Sequence, residues 1–151
     1  MSIAKHLSEL GIKLPDPPKQ AGSYVPVVQV GSLLFTSGAI PWVDGKLSYK
    51  GKLGQELDVK KGQQAARTSL LNALSVVQAH LGDLERVMQV VRLSGYVVSA
   101  RHFYEQAKVL DGASDLLVQI FGERGKHART AVGVRSLPLS ASVMLDLIIS
   151  V

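Results

Sequence analysis

The sequence predicts a two-layer α+β domain, in which two main helices cover one face of a mixed or mostly antiparallel β-sheet. Three observations predict this class. The 151 residues are 46% hydrophobic, which suits one compact domain with a core of its own. Two long segments repeat apolar residues at helical spacing, and short runs rich in β-branched residues precede, separate and follow them. The sequence contains no cysteine, so the predicted core needs no disulfide.

A short amphipathic helix is predicted first, at residues 2–10, because three apolar side chains share one face. Gly11 favours the end of this helix, and the proline-rich segment 14–18 predicts an extended linker. We therefore expect an appended N-terminal helix and linker, residues 1–21, and a main region, residues 22–151, within a single domain.

A β-hairpin is predicted next. Two β-like runs, residues 24–30 and 33–37, are separated by a Gly-Ser pair that favours a tight turn. The glycine-punctuated stretch 38–58 is predicted to be a loop with one short strand near residues 46–49.

The central part of the chain alternates helix and strand. The clearest helix is predicted at residues 59–81, capped by Asp58 and ended by Gly82. A strand at 84–99 and a second helix at about 102–121 follow. This order places both main helices between strands, as the predicted class requires.

Two strands complete the predicted sheet. The first begins near Arg129 and runs through small and β-branched residues to Val134, and the last covers residues 143–151 after a turn at 136–140. With helices on one face, we expect an apolar opposite face that packs against further copies of the chain. The residues expected on that face are Val91, Val97, Val132, Leu145 and Ile149.

The charge pattern allows two interpretations. The net charge of +5 favours anionic partners, but the 17 lysines and arginines are spread along the chain. Aromatic residues make up 5% of the sequence, too few for a base-stacking platform, so a solvated basic surface is the alternative. One tight basic cluster occurs, formed by Arg124, Lys126, His127 and Arg129.

Motifs for several kinds of chemistry are missing from the sequence. The four histidines lack metal-ligand spacing, and no phosphate-binding glycine loop occurs, so we expect no metal and no nucleotide cofactor. Ser37 lies in Thr-Ser-Gly rather than in a nucleophile elbow, and a polar strand end is its simplest interpretation. Since no signal peptide is evident and no apolar run approaches the ~20 residues of a membrane span, we expect a soluble cytoplasmic protein.

Arg129 is the residue on which the functional interpretation depends. It lies at the start of a strand that is predicted to be buried. One possibility is a structural ion pair with Glu123 or Asp146. The other is a bidentate clamp for the carboxylate of a 2-oxo or 2-imino acid, which the planar guanidinium fits.

Four segments, taken together, give the chain a resemblance to a known family. It resembles the RidA family, also called YjgF or L-PSP, over about residues 22–151, and the N-terminal helix corresponds to an extra element of a longer subgroup. The segments are Gly22-Ser-Tyr24, Val30-Gly-Ser-Leu-Leu-Phe-Thr-Ser-Gly-Ala-Ile-Pro41, Gly82-Asp-Leu-Glu-Arg-Val87, and Ala128-Arg-Thr-Ala-Val-Gly-Val134 before Leu137-Pro138.

The resemblance implies a chorismate-mutase-like (YjgF-like) fold and a homotrimer with sites in clefts between subunits. It also implies hydrolysis of reactive enamines and imines, such as 2-aminoacrylate, 2-iminobutanoate and 2-iminopropanoate, to 2-oxo acids and ammonia without a cofactor. Arg129 would be the catalytic residue that holds the substrate carboxylate. The residues that would line the pocket are Tyr24, Ser37, Gly38 and Ala131.

One position departs from the family pattern. The glutamate that positions the attacking water in deaminating members corresponds to Met144, and a thioether cannot orient water as a carboxylate does. Asp146 lies two residues on, on the same face but displaced by about 6–7 Å. Three functions therefore stay open: a weakened imine deaminase, a trimer that binds a small 2-oxo acid without turnover, and an endoribonuclease or translation inhibitor of the L-PSP type.

Overall fold

The computed structural model describes residues 2–19 and 22–151. A five-stranded sheet and a separate two-stranded ribbon are joined by three helices. In chain order the elements are α1 (Ile3–Glu9), β1 (Val27–Val30), β2 (Leu33–Thr36), β3 (Trp42–Val43), β4 (Lys46–Leu47), α2 (Val59–Leu81), β5 (Gln89–Val98), α3 (Gln106–Phe121), β6 (Ala128–Val134) and β7 (Val143–Ser150).

The sheet has the strand order β1-β2-β7-β5-β6. All neighbours are antiparallel except β5 and β6, which are parallel because α3 carries the chain back between them. Helices α2 and α3 pack on each other and on one face of this sheet, and the core lies between the two layers. The predicted mixed sheet with two main helices on one face is confirmed.

The bounds of α2 agree with the sequence prediction. The side chain of Asp58 accepts a hydrogen bond from the Lys61 N–H at 2.8 Å, which caps the first turn. Gly82, at φ 83°, ends the helix and donates its N–H to the Gln78 carbonyl at 2.8 Å. Local sequence signals were sufficient here because both caps lie within the helix's own segment.

Three predicted bounds were wrong by several residues. Strand β1 starts at Val27 rather than 24. Helix α3 starts at Gln106 rather than 102 because His102 has φ 71°, a left-handed conformation that breaks a helix. Strand β5 starts at Gln89 rather than 84 because residues Leu84–Arg86 form a 3₁₀ turn, which Asp83 caps through the Glu85 N–H at 2.9 Å. The predicted short strand near 46–49 is β4, and its partner β3 was not predicted.

Helix α1 packs on the main body of the protein. Ile3 and Leu7 are buried, and the ring nitrogen Nδ1 of His6 lies 2.7 Å from the Ile120 carbonyl oxygen of α3. The predicted boundary between residues 21 and 22 adjoins Gln20 and Ala21, which lie outside the described residues, so the division at that point stays a prediction.

The open face of the sheet differs from the expected one. Val97, Leu145 and Ile149 are fully buried and belong to the helix-facing core, so their expected place on the open face was wrong. At these three positions the side chains point toward the helices, on the opposite face of the sheet from the one predicted. Val91 and Val132 are each 38% exposed, as expected for residues that the helices do not cover. Further exposed apolar residues come from β1 and β2, namely Val28, Val30, Leu33 and Phe35.

Residues 2–19 and 22–151 include no helix with the length and hydropathy that crossing a membrane requires.

Candidate functional site

Arg129 lies on β6, beside Leu93 of β5, and extends toward the helix layer. Its Nη1 atom is 2.9 Å from Oδ1 of Asp111 and 3.1 Å from Oγ of Ser114, both on α3. The expected ion pairs with Glu123 or Asp146 were wrong. Glu123 pairs with Lys126 at 2.9 Å instead.

Asp111 is the partner that sequence reasoning missed. The sequence held one signal for this partner. Ser114 is a polar residue in the apolar stripe of α3, and Asp111 lies one turn before it. A helical residue faces its neighbours three and four positions away, so the two side chains reach the same point on β6.

The Arg129 side chain is 23% exposed, and only one nitrogen of its guanidinium is used in contacts with the described residues. The group carries five N–H donors, and the two contacts of Arg129 both use Nη1. Within residues 2–19 and 22–151, no partner is recorded for Nη2 or Nε. These two nitrogens form the edge that binds a carboxylate bidentately. Arg129 borders an open cleft of about 290 Å³, which is lined by Asp111, Ser114, Asp115, Val118, Lys126, His127 and Arg129.

His127 has both ring nitrogens engaged. Nδ1 lies 2.6 Å from the carbonyl oxygen of Gly125, and Nε2 lies 2.9 Å from Oγ of Ser114. A carbonyl oxygen only accepts hydrogen bonds, so Nδ1 carries the proton of the neutral ring. Nε2 then carries a lone pair, which accepts a hydrogen bond from the Ser114 hydroxyl.

Ser37 and Gly38 lie just beyond β2, next to Met144. The Ser37 hydroxyl donates to the Val25 carbonyl at 2.6 Å, which ties this segment to the chain beside Tyr24. A Cβ on Gly38 would lie 2.6 Å from Sδ of Met144, so the thioether occupies the space over the glycine. Tyr24 itself is 63% exposed.

The strand β2 ends at Thr36, because Oγ1 of Thr36 accepts the Leu147 N–H at 2.9 Å and interrupts the ladder. The pairing with β7 then slips by one residue, from Phe35 opposite Ile148 to Ala39 opposite Leu145. After this irregularity Gly38 lies beside the Met144 side chain of β7.

Asp146 shares the open face with Met144, as its spacing of two residues predicts. Burial raises the pKa of the Asp146 carboxyl, while a hydrogen bond from Tyr96 and the positive charge of Arg92 oppose that rise. The Asp146 charge in turn raises the pKa of the Tyr96 hydroxyl. The carboxylate is therefore held by its own neighbours, two residues away from the position beside Gly38.

One chain keeps the predicted site residues in two separate groups. Arg129 and Ala131 lie on the helix-facing side of β6, whereas Met144 lies on the open face of β7. Strand β6 is three neighbours away from β2, where the segment Ser37–Gly38 begins, which is about 14 Å at the usual strand spacing. A substrate of a few heavy atoms cannot touch both groups of the same chain.

The chain is similar to several known proteins over nearly its whole length. The family model described as "YjgF/chorismate mutase-like, putative endoribonuclease" matches residues 4–151. Protein TCP17 of Trypanosoma cruzi is 46% identical over 148 residues, which cover 97% of this chain and 92% of that protein.

Solved structures share the fold as well. A structure described as a "putative endoribonuclease" from Shewanella oneidensis MR-1 is 37% identical, with a TM-score of 0.96 and full coverage of both chains. TdcF of Escherichia coli, solved with bound serine, is 26% identical with a TM-score of 0.60, over 89% of this chain and 93% of that one. The fold and the family match agree, and the chain belongs to the YjgF/chorismate mutase-like family.

Proposed function

We propose that the protein is a hydrolytic deaminase of small reactive 2-imino acids and their enamine tautomers. One observation carries this proposal: Arg129 lines an open cleft and is anchored by Nη1, so that Nη2 and Nε have no hydrogen-bond partner among residues 2–19 and 22–151. A fixed guanidinium edge is the arrangement that binds a carboxylate in a defined orientation.

The proposed site is shared between subunits of a homotrimer. The separation of about 14 Å between β2 and β6 supports this, because Ser37 and Gly38 reach the substrate only if a second copy supplies them. Exposed apolar side chains on β1 and β2, such as Val28, Leu33 and Phe35, give that copy a surface to cover.

The proposed reaction needs only water. Arg129 holds the carboxylate and draws electron density from the neighbouring imine carbon. Water adds to that carbon, and one of its protons moves to nitrogen to give a carbinolamine. The hydroxyl proton then also moves to nitrogen as the C–N bond breaks, which releases ammonia and a 2-oxo acid. The lone pairs of the Ser37 hydroxyl, whose proton is committed to the Val25 carbonyl, can accept a hydrogen bond from the water.

Met144 supports a second candidate function, the binding of a small 2-oxo acid without turnover. Its thioether lies against Gly38, where a deaminating family member is expected to have a carboxylate. Loss of one acid–base group lowers a rate by about 10²–10⁴-fold. TdcF, a relative with bound serine, supports recognition of small carboxylates in either case.

RNA cleavage is the weaker candidate, although the family description names an endoribonuclease. The basic cluster is largely neutralised within the chain. Arg124 lies 3.6 Å from a carboxylate oxygen of Glu85, Lys126 pairs with Glu123, and Arg129 pairs with Asp111. Paired cations contribute little to phosphate binding, which depends on releasing counterions.

The experiment that tests the proposal is ammonia release from freshly generated 2-aminoacrylate, with an active family member as positive control. We expect accelerated release that the Arg129→Ala variant loses. Binding of pyruvate without acceleration of ammonia release would instead support the carboxylate-binding function. Salt-sensitive RNA cleavage with no pyruvate binding would reject both.

A further inference from the structure

We propose that Ser114 is an activated nucleophile, with His127 as its general base, and that the cleft beside them takes a small carboxylic ester as substrate. This goes beyond the proposed deaminase function, in which water attacks the substrate and no covalent intermediate forms. The pair lies in the same cleft as Arg129, and its reaction forms a covalent bond to Ser114 that the proposed deamination does not form.

The distances fit a nucleophile, a base and a group that orients the base. Oγ of Ser114 is 2.9 Å from Nε2 of His127, and Nδ1 of His127 is 2.6 Å from the Gly125 carbonyl oxygen. The carbonyl fixes the proton on Nδ1, so Nε2 is free to take the proton of Ser114. The carbonyl thus orients the ring as the third member of a catalytic triad does, though without that member's charge.

Arg129 adds a positive charge at the reacting oxygen. Its Nη1 donates to Oγ of Ser114 at 3.1 Å, and arginine is always protonated in proteins. Ser114 therefore donates a hydrogen bond to a base and accepts a hydrogen bond from a cation. Both interactions favour the alkoxide over the hydroxyl, which is how a weak serine nucleophile is activated.

The group that orients His127 is held rigidly. A Cβ on Gly125 would lie 2.2 Å from the carbonyl oxygen of Leu117, so the backbone at Gly125 packs directly on α3. Ser114 belongs to the same helix, one turn before Leu117. The orienting carbonyl and the nucleophile are consequently fixed relative to each other by one element.

The cleft can hold a substrate for this pair. It is open to solvent, has a volume of about 290 Å³, and is lined by Ser114 and His127 together with Val118, which offers apolar contact. Lys126 and Arg129 bring positive charge to it, and Asp111 and Asp115 bring negative charge. This near balance suits a neutral ester with a short acyl group better than a polyanion.

The proposed reaction balances with water as the only co-substrate. Oγ of Ser114 attacks the ester carbonyl carbon, and its proton moves to Nε2 of His127. The negative oxygen that forms is stabilised by the Arg129 guanidinium. The alcohol leaves with the proton from His127, and water then hydrolyses the acyl-serine to release the carboxylic acid and restore the hydroxyl.

The test labels the full-length protein with a fluorophosphonate probe and maps the adduct by peptide mass spectrometry. We expect the adduct on Ser114. We expect Ser114→Ala to remove it and His127→Gln to slow labelling by at least about 100-fold, the usual size of general-base catalysis. Ser140→Ala, which changes an exposed serine outside the cleft, is the matched control and should label at the wild-type rate.

A second readout uses p-nitrophenyl acetate. We expect a burst of p-nitrophenol, one per chain, which is lost in Ser114→Ala. No adduct on Ser114, an adduct elsewhere, or equal labelling rates in wild type and His127→Gln would overturn the proposal. Ammonia release from 2-aminoacrylate reports on the deaminase separately, so each function can fail while the other stands.

Discussion

Arg129 on β6 and Asp111 on α3 form an ion pair across 2.9 Å, with the side chains 23% and 45% exposed. The pair fixes Nη1 of the guanidinium and leaves Nη2 and Nε without a hydrogen-bond partner among the described residues. Asp111 therefore acts as an internal carboxylate that orients the arginine and partly compensates its charge. Two predictions follow from these opposite effects.

Replacing Arg129 with lysine should weaken the binding of 2-oxobutanoate by about 10- to 100-fold, since a charge-assisted hydrogen bond contributes about 1.5–3 kcal/mol. Lysine keeps the charge but loses the planar edge. Isothermal titration calorimetry measures the affinity. Arg135→Lys, at an exposed position just after β6, is the matched control and should bind as wild type does. Equal affinities of wild type, Arg129→Lys and Arg135→Lys would show that Arg129 does not bind the ligand carboxylate.

Replacing Asp111 with asparagine should strengthen 2-oxobutanoate binding by a few fold, because the competing negative charge is removed while the hydrogen-bond acceptor stays. The ion pair is partly exposed, so the loss of unfolding free energy should stay below about 1 kcal/mol. Titration calorimetry and urea unfolding measure the two quantities. Weaker binding in Asp111→Asn would show that the Asp111 charge matters more for orienting Arg129 than for compensating its positive charge.

Replacing Met144 with glutamate should raise the rate of ammonia release from 2-aminoacrylate by about 10²-fold or more, the usual contribution of an acid–base group. The new carboxylate would lie beside Gly38, where Met144 now packs. Met144→Gln has the same shape without the charge and is the control. If glutamate and glutamine give the same rate, the position does not direct the water.

Replacing Gly38 with alanine should destabilise the protein by about 1–3 kcal/mol, the range for inserting a methyl group into a packed contact. The new Cβ would meet the Met144 thioether at 2.6 Å. In a Met144→Ala background the same change should cost little. A double-mutant cycle by urea unfolding measures the coupling. An additive cycle, with no coupling between the two sites, would contradict the contact.

The pKa of Asp146 predicts a pH dependence of stability. Burial holds that pKa above the ordinary value of 3.8, so the folded state binds the proton more tightly than the unfolded state. As pH rises from 3.8 through the raised pKa, ionisation of Asp146 should lower the free energy of unfolding.

Asp146→Asn cannot ionise and isolates this effect. We expect the stability of wild type relative to Asp146→Asn to fall with rising pH in that window and then to level off. Urea unfolding of both proteins across acidic to neutral pH gives the difference. A difference that rises with pH would mean that Arg92 and Tyr96 outweigh burial.

The fold class was predictable from local patterns. Helix α2 carries its own cap residues, Asp58 and Gly82, and its periodicity is unbroken. The start of α3 was not predictable, because a histidine has no obligatory backbone conformation that would mark the positive φ of His102 in the sequence. Strand β3 is two residues long and is defined only by its pairing with β4.

The candidate site was predictable in part. The position of Arg129 at the start of β6 follows from its sequence context, but β6 is a part-exposed edge strand and not the buried strand that was predicted. The ion-pair partner of Arg129 does not follow from that context either. Glu123 and Asp146 were the candidate partners in the sequence, whereas Asp111 comes from a helix that packs across β6. Contacts between elements depend on topology, which no single segment encodes.

The most direct test of the central claim is a crystal structure of the protein with 2-oxobutanoate bound. We expect the ligand carboxylate to accept two hydrogen bonds from Nη2 and Nε of Arg129 in one subunit, with Ser37 and Gly38 of a second subunit beside its carbonyl group. A ligand bound away from Arg129, or a site completed by a single chain, would contradict the account.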